Sequence, residues 1–341
     1  MNRGPAISLL LLTALASAIA PVAARAQSKT GTTIGQFLGI EPSARTAAMG
    51  NAGVAFADGV EFGYFNPAAV GLLDRSTALF THCDWFIGVD LDYAAAAVPV
   101  GRYGTAYASV TALSSGDISV RTVDQPLGTG ERYDVADTGL TLGFSRRITA
   151  RFSAGVYATW VSERIWRTKL TTLTLSLGTL YEFPGTGIRL GAALMNLGTD
   201  GRFTGKDLAI QYDADPDVYG DNSALPAEQY TGSFPVPILF RVGASWEKDL
   251  GPKSRFLAAV DALHPNDNTE SVNLGAEWLW RETAAVRGGY QTLFQKDSEF
   301  GPTFGFGLRG DLGETEYRVD YAWAAHESLQ ETHRLTFSLV F

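Results

Sequence analysis

The chain is short of several things that most proteins have. It holds one cysteine, three methionines and four histidines in 341 residues, and only 18% of it is charged. A single cysteine excludes a disulfide framework and any multi-cysteine zinc site. Cys83 reads as a small apolar filler. Lys and Arg number 27 against 36 Asp and Glu, a formal charge of -9. That balance argues against nucleic acid as a partner, because phosphate binding needs clustered cations. Beyond the N-terminal segment there is no apolar run near the ~18 residues of a membrane-spanning helix. The histidines (His82, His264, His326, His333) come with no Gly-x-Ser-x-Gly elbow, no phosphate loop and no His-Glu-x-x-His. A nucleophile needs a positioned base, so neither an enzyme nor a cofactor is expected.

The N-terminus reads as a targeting segment. Arg3 precedes an apolar stretch from Ala6 to Ala20, and Ala24-Arg25-Ala26 is an A-x-A cleavage site. Residues 1–26 are therefore expected to be a cleaved signal peptide that exports an acidic chain. No cysteine follows the cleavage site to take a lipid anchor.

The rest of the chain is dominated by alternation. Val272, Leu274, Ala276, Trp278 and Trp280 alternate with Ser271, Asn273, Gly275, Glu277 and Arg281. Ile238, Phe240, Val242, Ala244 and Trp246 repeat the pattern, as do Phe152, Ala154, Val156, Ala158 and Trp160. Period two marks a strand with one apolar and one polar or small face. The segments run to about 9–12 residues, longer than the ~5–6 of a globular strand and matched to a tilted bilayer-crossing strand. Trp160, Tyr181, Trp246, Trp280, Tyr290 and Trp323 fall near segment ends, where amphipathic rings favour the membrane interface.

About fourteen such segments start near Ala78, Asp90, Gly101, Asp134, Phe152, Lys169, Gly187, Ile238, Arg255, Ser271, Ala284, Pro302, Thr315 and His333. Their connections sort by side. If the first segment runs outward, those at Pro99-Val100, Ile148 to Arg151, Pro184 to Thr186, Asp249 to Ser254, Glu282-Thr283 and Gly313-Glu314 are tight and periplasmic. The long ones, including Ser114 to Tyr133 and Gly198 to Pro237, fall outside, as in outer-membrane barrels. The expected fold is all-β: a transmembrane antiparallel β-barrel of about 14 strands over residues 76–341, in the bacterial outer membrane. A soluble β-sandwich would need two apolar faces meeting in one core, which this many long strands make awkward. Phe337, Leu339 and Phe341 end the last alternating segment on an aromatic residue, the form in which such barrels present themselves to the barrel-assembly machinery.

Residues 27–75 do not alternate. Gln36-Phe37-Leu38-Gly39-Ile40 is followed by Ala44-Arg45-Thr46-Ala47-Ala48-Met49-Gly50-Asn51-Ala52-Gly53 and by Asn66-Pro67-Ala68-Ala69. Small residues at this density let backbone pack against backbone. A segment of this kind before a barrel plugs the lumen or hangs in the periplasm as a linker.

The run Phe37-Leu38, then Ala44-Arg45-x-Ala47-x-Met49-Gly50-x-Ala52, then Asp58, then Tyr64-x-Asn66-Pro67-Ala68, resembles the opening of the PorV/PorQ family, within the wider FadL-like group of outer-membrane barrels. Ala69 stands where many relatives have Gly. The resemblance implies fourteen strands around an N-terminal hatch seated by Ala44, Arg45, Met49, Gly50, Asn66, Pro67 and Ala68. It also implies one of two roles. PorV-type barrels act in type IX protein secretion and surface attachment, binding secreted proteins or translocon components at their outer loops. FadL-type barrels take up hydrophobic small molecules through a gated lumen. Outer-membrane lipid and lipopolysaccharide are partners on either reading.

Polar positions such as Arg241, Glu247, Glu277, Arg287, Arg309 and Arg318 are expected to face the lumen, which is then wet or filled by the hatch. Asp213, Asp215 and Asp217 lie in the long acidic connection and form a weak candidate for a loose cation site. Val218 and Ala224 stand where an EF-hand needs Gly and Glu.

Overall fold

The computed structural model describes residues 31–341 apart from 214, 216, 218–223 and 297. The expected signal peptide lies outside the described residues. Fourteen antiparallel strands form the barrel: β1 Thr77–Asp84, β2 Asp90–Pro99, β3 Thr105–Ser114, β4 Val135–Arg147, β5 Phe152–Ile165, β6 Thr168–Phe183, β7 Ile188–Gly198, β8 Leu239–Asp249, β9 Ser254–Pro265, β10 Ser271–Trp280, β11 Ala284–Leu293, β12 Phe300–Leu312, β13 Thr315–His326 and β14 Thr332–Val340. Each pairs with its neighbours in sequence, and β1 pairs with β14 from Thr77↔Val340 to Asp84↔His333. The sheet is closed, so no edge is left to recruit another chain.

Alternation sets which face is which. Phe80, Leu142, Phe144, Leu173, Leu175, Leu177, Trp278, Phe304, Phe306 and Leu335 are exposed on the outside. Their neighbours one residue along, such as Thr81, Thr174, Ser176, Glu277 and Thr336, are buried inside. An exterior this apolar around a polar interior is stable only against hydrocarbon.

The tight connections fall at one end and the long ones at the other. Two details depart from the sequence reading. The strand expected from Gly101 begins at Thr105, because Gly101 and Gly104 take φ of 56° and 135° and turn the chain through a short 3-10 helix first. The β5–β6 connection, on the long-loop side, is only Trp166-Arg167, since those two strands run past the barrel rim as an extended hairpin.

Residues 34–73 lie within the barrel. They form short helical turns (Gln36–Gly39, Ala44–Ala47, Val60–Tyr64, Ala69–Leu72) joined by irregular backbone, and almost every side chain from Ser43 to Val70 is buried. One apolar cluster packs Met49, Ala52, Phe56, Phe62 and Ala68 against Leu180, Leu257 and Ala259 of the wall.

Candidate functional site

Irregular backbone buried in a barrel leaves amide and carbonyl groups that need partners. The polar inner face supplies them. The Ala44 amide donates to Thr336 Oγ1 (2.9 Å), and Thr303 Oγ1 accepts from Gly50 (3.0 Å) while donating to the Ala48 carbonyl (3.1 Å). One oxygen of Asp261 accepts from both Gly53 and Val54, at 2.8 and 3.0 Å. Ser245 donates to the Ala55 carbonyl (3.0 Å), Ser153 to that of Ala68 (3.1 Å), and Ser145 to that of Pro67. Asn66 donates through Nδ2 to the Val54 and Thr179 carbonyls, at 2.8 and 2.9 Å, while its Oδ1 accepts from Ala68 (3.0 Å).

Close approach is made possible by glycine on both sides. A Cβ on Gly289 would stand 2.2 Å from the Gly50 nitrogen, and one on Gly275 would stand 2.2 Å from the Met49 carbonyl oxygen. Gly50 itself turns with φ of 62°.

Arg45 is the electrostatic centre. All five of its N–H groups are engaged. Nε and Nη2 hold both oxygens of Glu277 on β10 (3.0 and 2.9 Å), Nη1 and Nη2 hold both of Asp58 (3.1 and 2.9 Å), and Nη1 also reaches Glu61 (3.2 Å). Its guanidinium stacks over Phe62. The chain of charge continues from Glu277 to Arg287 and on to Asp320, with Arg287 Nη1 2.7 Å from the latter. Burial alone raises the Asp58 carboxyl, but the nearby Arg45 and Arg318 more than reverse this and hold it well below the usual carboxylate range.

Three spaces lie along the lumen. At the long-loop end a vestibule of about 470 Å³ is lined by Phe37, Leu38, Ile40, Trp85, Leu113 and Leu263, with Asp137 and Glu163 among them. It shares Leu38, Gly39, Glu41, Asn196 and Leu239 with a deeper pocket of about 60 Å³, which adds Tyr64, Phe65, Tyr107, Tyr157 and Thr159. Tyr107 and Tyr157 stack at 4.3 Å there, and Tyr107 bonds Tyr93 through their hydroxyls (2.6 Å). At the tight-turn end a polar cavity of about 440 Å³ is lined by Asp58, Arg255, Arg309 and Arg318. Asp58 thus joins the Arg45 cluster to this lower cavity.

Of the residues singled out from the sequence, Ala44, Arg45, Met49, Gly50, Asn66, Pro67 and Ala68 are all placed inside the barrel. Asn66 and Ala68 are linked directly, and Arg45 meets Glu277, another position expected to face the lumen. Phe337, Leu339 and Phe341 lie along the outside of β14 and its end, and the Phe341 amide donates to Ser76. Asp215 and Asp217 are exposed and Asp213 is half-buried. Asp213 and Asp215 each accept the amide two residues on (3.1 and 3.4 Å), so among the described residues these carboxylates cap their own turn and do not converge. The sequence reading missed the tyrosines of the inner pocket. Their signal was present as aromatic residues on an otherwise small and polar inward face.

No family model matches the sequence, and no curated protein matches it. Solved structures do. The Pseudomonas putida toluene transporter TodX superposes with a TM-score of 0.57 at 12% identity, over 88% of this chain and 98% of that one. CymD, a monoaromatic hydrocarbon channel, superposes with a TM-score of 0.52 at 13% identity, over 88% and 96%. The fold, a closed fourteen-strand antiparallel barrel, is the one these two channels have. At this identity the likeness is one of architecture, and neither structure is named as a PorV or PorQ protein.

Proposed function

We propose that the chain is an outer-membrane channel for small hydrophobic compounds, with residues 34–73 acting as its hatch. The observation that carries this reading is the vestibule lined with Phe37, Leu38, Ile40, Trp85 and Leu113, which narrows onto the tyrosine pocket between hatch and wall. A compound entering from the long-loop side would leave water for that apolar lining first. The pocket below, at about 60 Å³, has room for some four to six waters at the ~10–15 Å³ each one needs. Passage of anything larger therefore requires the hatch to shift, and the Arg45 cluster is the charged contact among those that hold it. The shared architecture with two hydrocarbon channels supports the same reading. A secretion role rests on the N-terminal motif and the long outer loop alone, with no named counterpart. We take the exterior apolar band to be the lipid-facing surface and Phe337, Leu339 and Phe341 to be the strand end read by the assembly machinery.

The test is uptake of labelled toluene by cells whose lipopolysaccharide layer excludes it and which lack a hydrocarbon channel of their own. Expression of this barrel should raise the rate, and Thr159→Trp, which fills the inner pocket, should return it to background while the barrel remains folded. Equal rates with and without the barrel would sink the transport reading. Co-extraction of other proteins in fixed stoichiometry would then favour secretion.

A further inference from the structure

The outer rim of the first hairpin carries an arrangement that transport does not use. Antiparallel pairing sets His82 opposite Asp92 and Asp84 opposite Asp90. All four side chains point to the outside, on the face that carries Phe80 two residues further down β1. They form a polar patch at the long-loop rim of the first hairpin, where the outward face of β1 and β2 loses its apolar pattern. Two carboxylates directly opposed across a strand pair repel one another, so Asp84 and Asp90 together disfavour the very pairing that places them. A cation removes that penalty.

We infer that His82, Asp84 and Asp90 bind a divalent cation of the zinc class. Among the described residues these three form the one group of His, Cys, Asp or Glu whose ligand atoms converge, all lying within 4.8 Å of one another. The histidine is oriented for the task. Nδ1 lies 2.8 Å from Asp92 Oδ1, and a carboxylate can only accept, so Nδ1 carries the proton and Nε2 is the ring nitrogen left to take a metal in place of a second proton. A metal-bound histidine ordinarily has its other ring nitrogen held by a carboxylate in this way. Nε2 in turn stands 3.3 Å from Asp84 Oδ1. Two ligand atoms at ~2.0–2.1 Å from a tetrahedral zinc ion are about 3.3–3.4 Å apart, so His82 and Asp84 already stand at ligand spacing, and the exposed Asp90 carboxylate, within 4.8 Å, closes by side-chain rotation. One imidazole with two carboxylates favours zinc over calcium or magnesium, which prefer six or more oxygens. Three protein ligands leave a fourth position open. It faces the headgroup layer, where water or a lipid phosphate would complete the shell.

The refolded full-length mature barrel, in detergent, is dialysed against micromolar zinc chloride and its bound metal measured. One zinc per barrel is expected. His82→Ala and Asp84→Asn should each weaken binding at least tenfold. Asp92→Asn should weaken it about tenfold through loss of the ring's orientation. His264→Ala, on β9, should change nothing. The site is surface-exposed, so gel mobility of the folded barrel should be the same in every variant. Absence of stoichiometric zinc, or zinc retained in His82→Ala, overturns the proposal. So does displacement of zinc by an equal concentration of calcium, which would mark a carboxylate site without a role for the histidine.

Discussion

Removing the Arg45 side chain is the most informative perturbation of the lumen. Arg45 is 1% exposed, and of its three carboxylate partners Asp58 and Glu61 belong to the hatch while Glu277 belongs to the wall. In Arg45→Ala, Glu277 keeps Arg287, but Glu61 is left with Arg318 at 3.9 Å. Breaking one partner out of a buried ion cluster costs about 3–5 kcal/mol, because the remaining charge stays buried without compensation. The hatch is not released outright. Its backbone is still held by Thr336, Thr303, Asp261, Ser245, Ser153 and Ser145, each such bond contributing about 0.5–1.5 kcal/mol net. The expected result is a large rise in transient opening. At ~1.4 kcal/mol per decade, amide exchange of hatch peptides should accelerate on the order of a hundred- to a thousandfold. Peptides from β1–β14 should be unchanged, since no ladder bond involves Arg45. Arg45→Lys, which keeps the charge but loses the bidentate fork, should fall between the two. Hydrogen exchange read by mass spectrometry on the barrel in micelles decides it. Hatch protection equal to that of the unaltered protein would refute the latch, and loss of protection in the strands as well would show that Arg45 supports the barrel instead.

Two further predictions follow from the same geometry. Gly289→Ala places a Cβ 2.2 Å from the Gly50 nitrogen, an overpacking that costs about 1–3 kcal/mol and should speed hatch exchange ten- to hundredfold. Gly288→Ala, whose Cβ meets nothing nearer than 4.0 Å, should leave exchange as it is, and equal effects of the two would argue against backbone contact with the wall. Acid should loosen the hatch through Asp58. Its carboxyl is depressed in the folded state, so its contribution is complete above the unfolded pKa near ~4 and is lost as pH falls below it. Protease resistance of the hatch should be flat from neutral pH to about pH 5 and decline below pH 4, and a decline centred near neutrality would assign the effect to another group.

The barrel was legible in the sequence because hydrocarbon outside a strand is unforgiving. Across the middle of the strands the outward positions, such as Phe80, Leu175, Phe304 and Phe337, had to be apolar, and the period survives even where inward residues vary between Gly, Thr, Leu and Arg. Strand limits were less legible where glycine conformation decides them, as at Gly101 and Gly104. The lumen was only half legible. Density of small residues around Met49-Gly50 and the polar positions Glu277 and Arg287 were both visible, yet nothing local pairs Arg45 with a residue 232 positions away. That pairing exists only once closure of the sheet brings β10 against the hatch.

The charged rim of β1 and β2 lies between these cases, and it bears on what the outward face is for. His82-Cys83-Asp84 and Asp90-Leu91-Asp92 are each a polar–apolar–polar alternation, the same period that identified the strands. Read alone, each looks like a strand end losing its apolar pattern. Read as the two arms of one hairpin, they put four ligand-type side chains on a single face, because antiparallel register keeps the phase of both arms. On β14 beside them Leu335 stands directly opposite His82 and Phe337 opposite Phe80, so the polar patch stops at the β1–β14 seam. Charge on the lipid side costs little at this depth and several kcal/mol deeper in the bilayer. The interior and exterior therefore use polar side chains for different ends. Inside, they satisfy the backbone of a segment that has to stay docked. Outside, they stand at the depth where cations and phosphates are met.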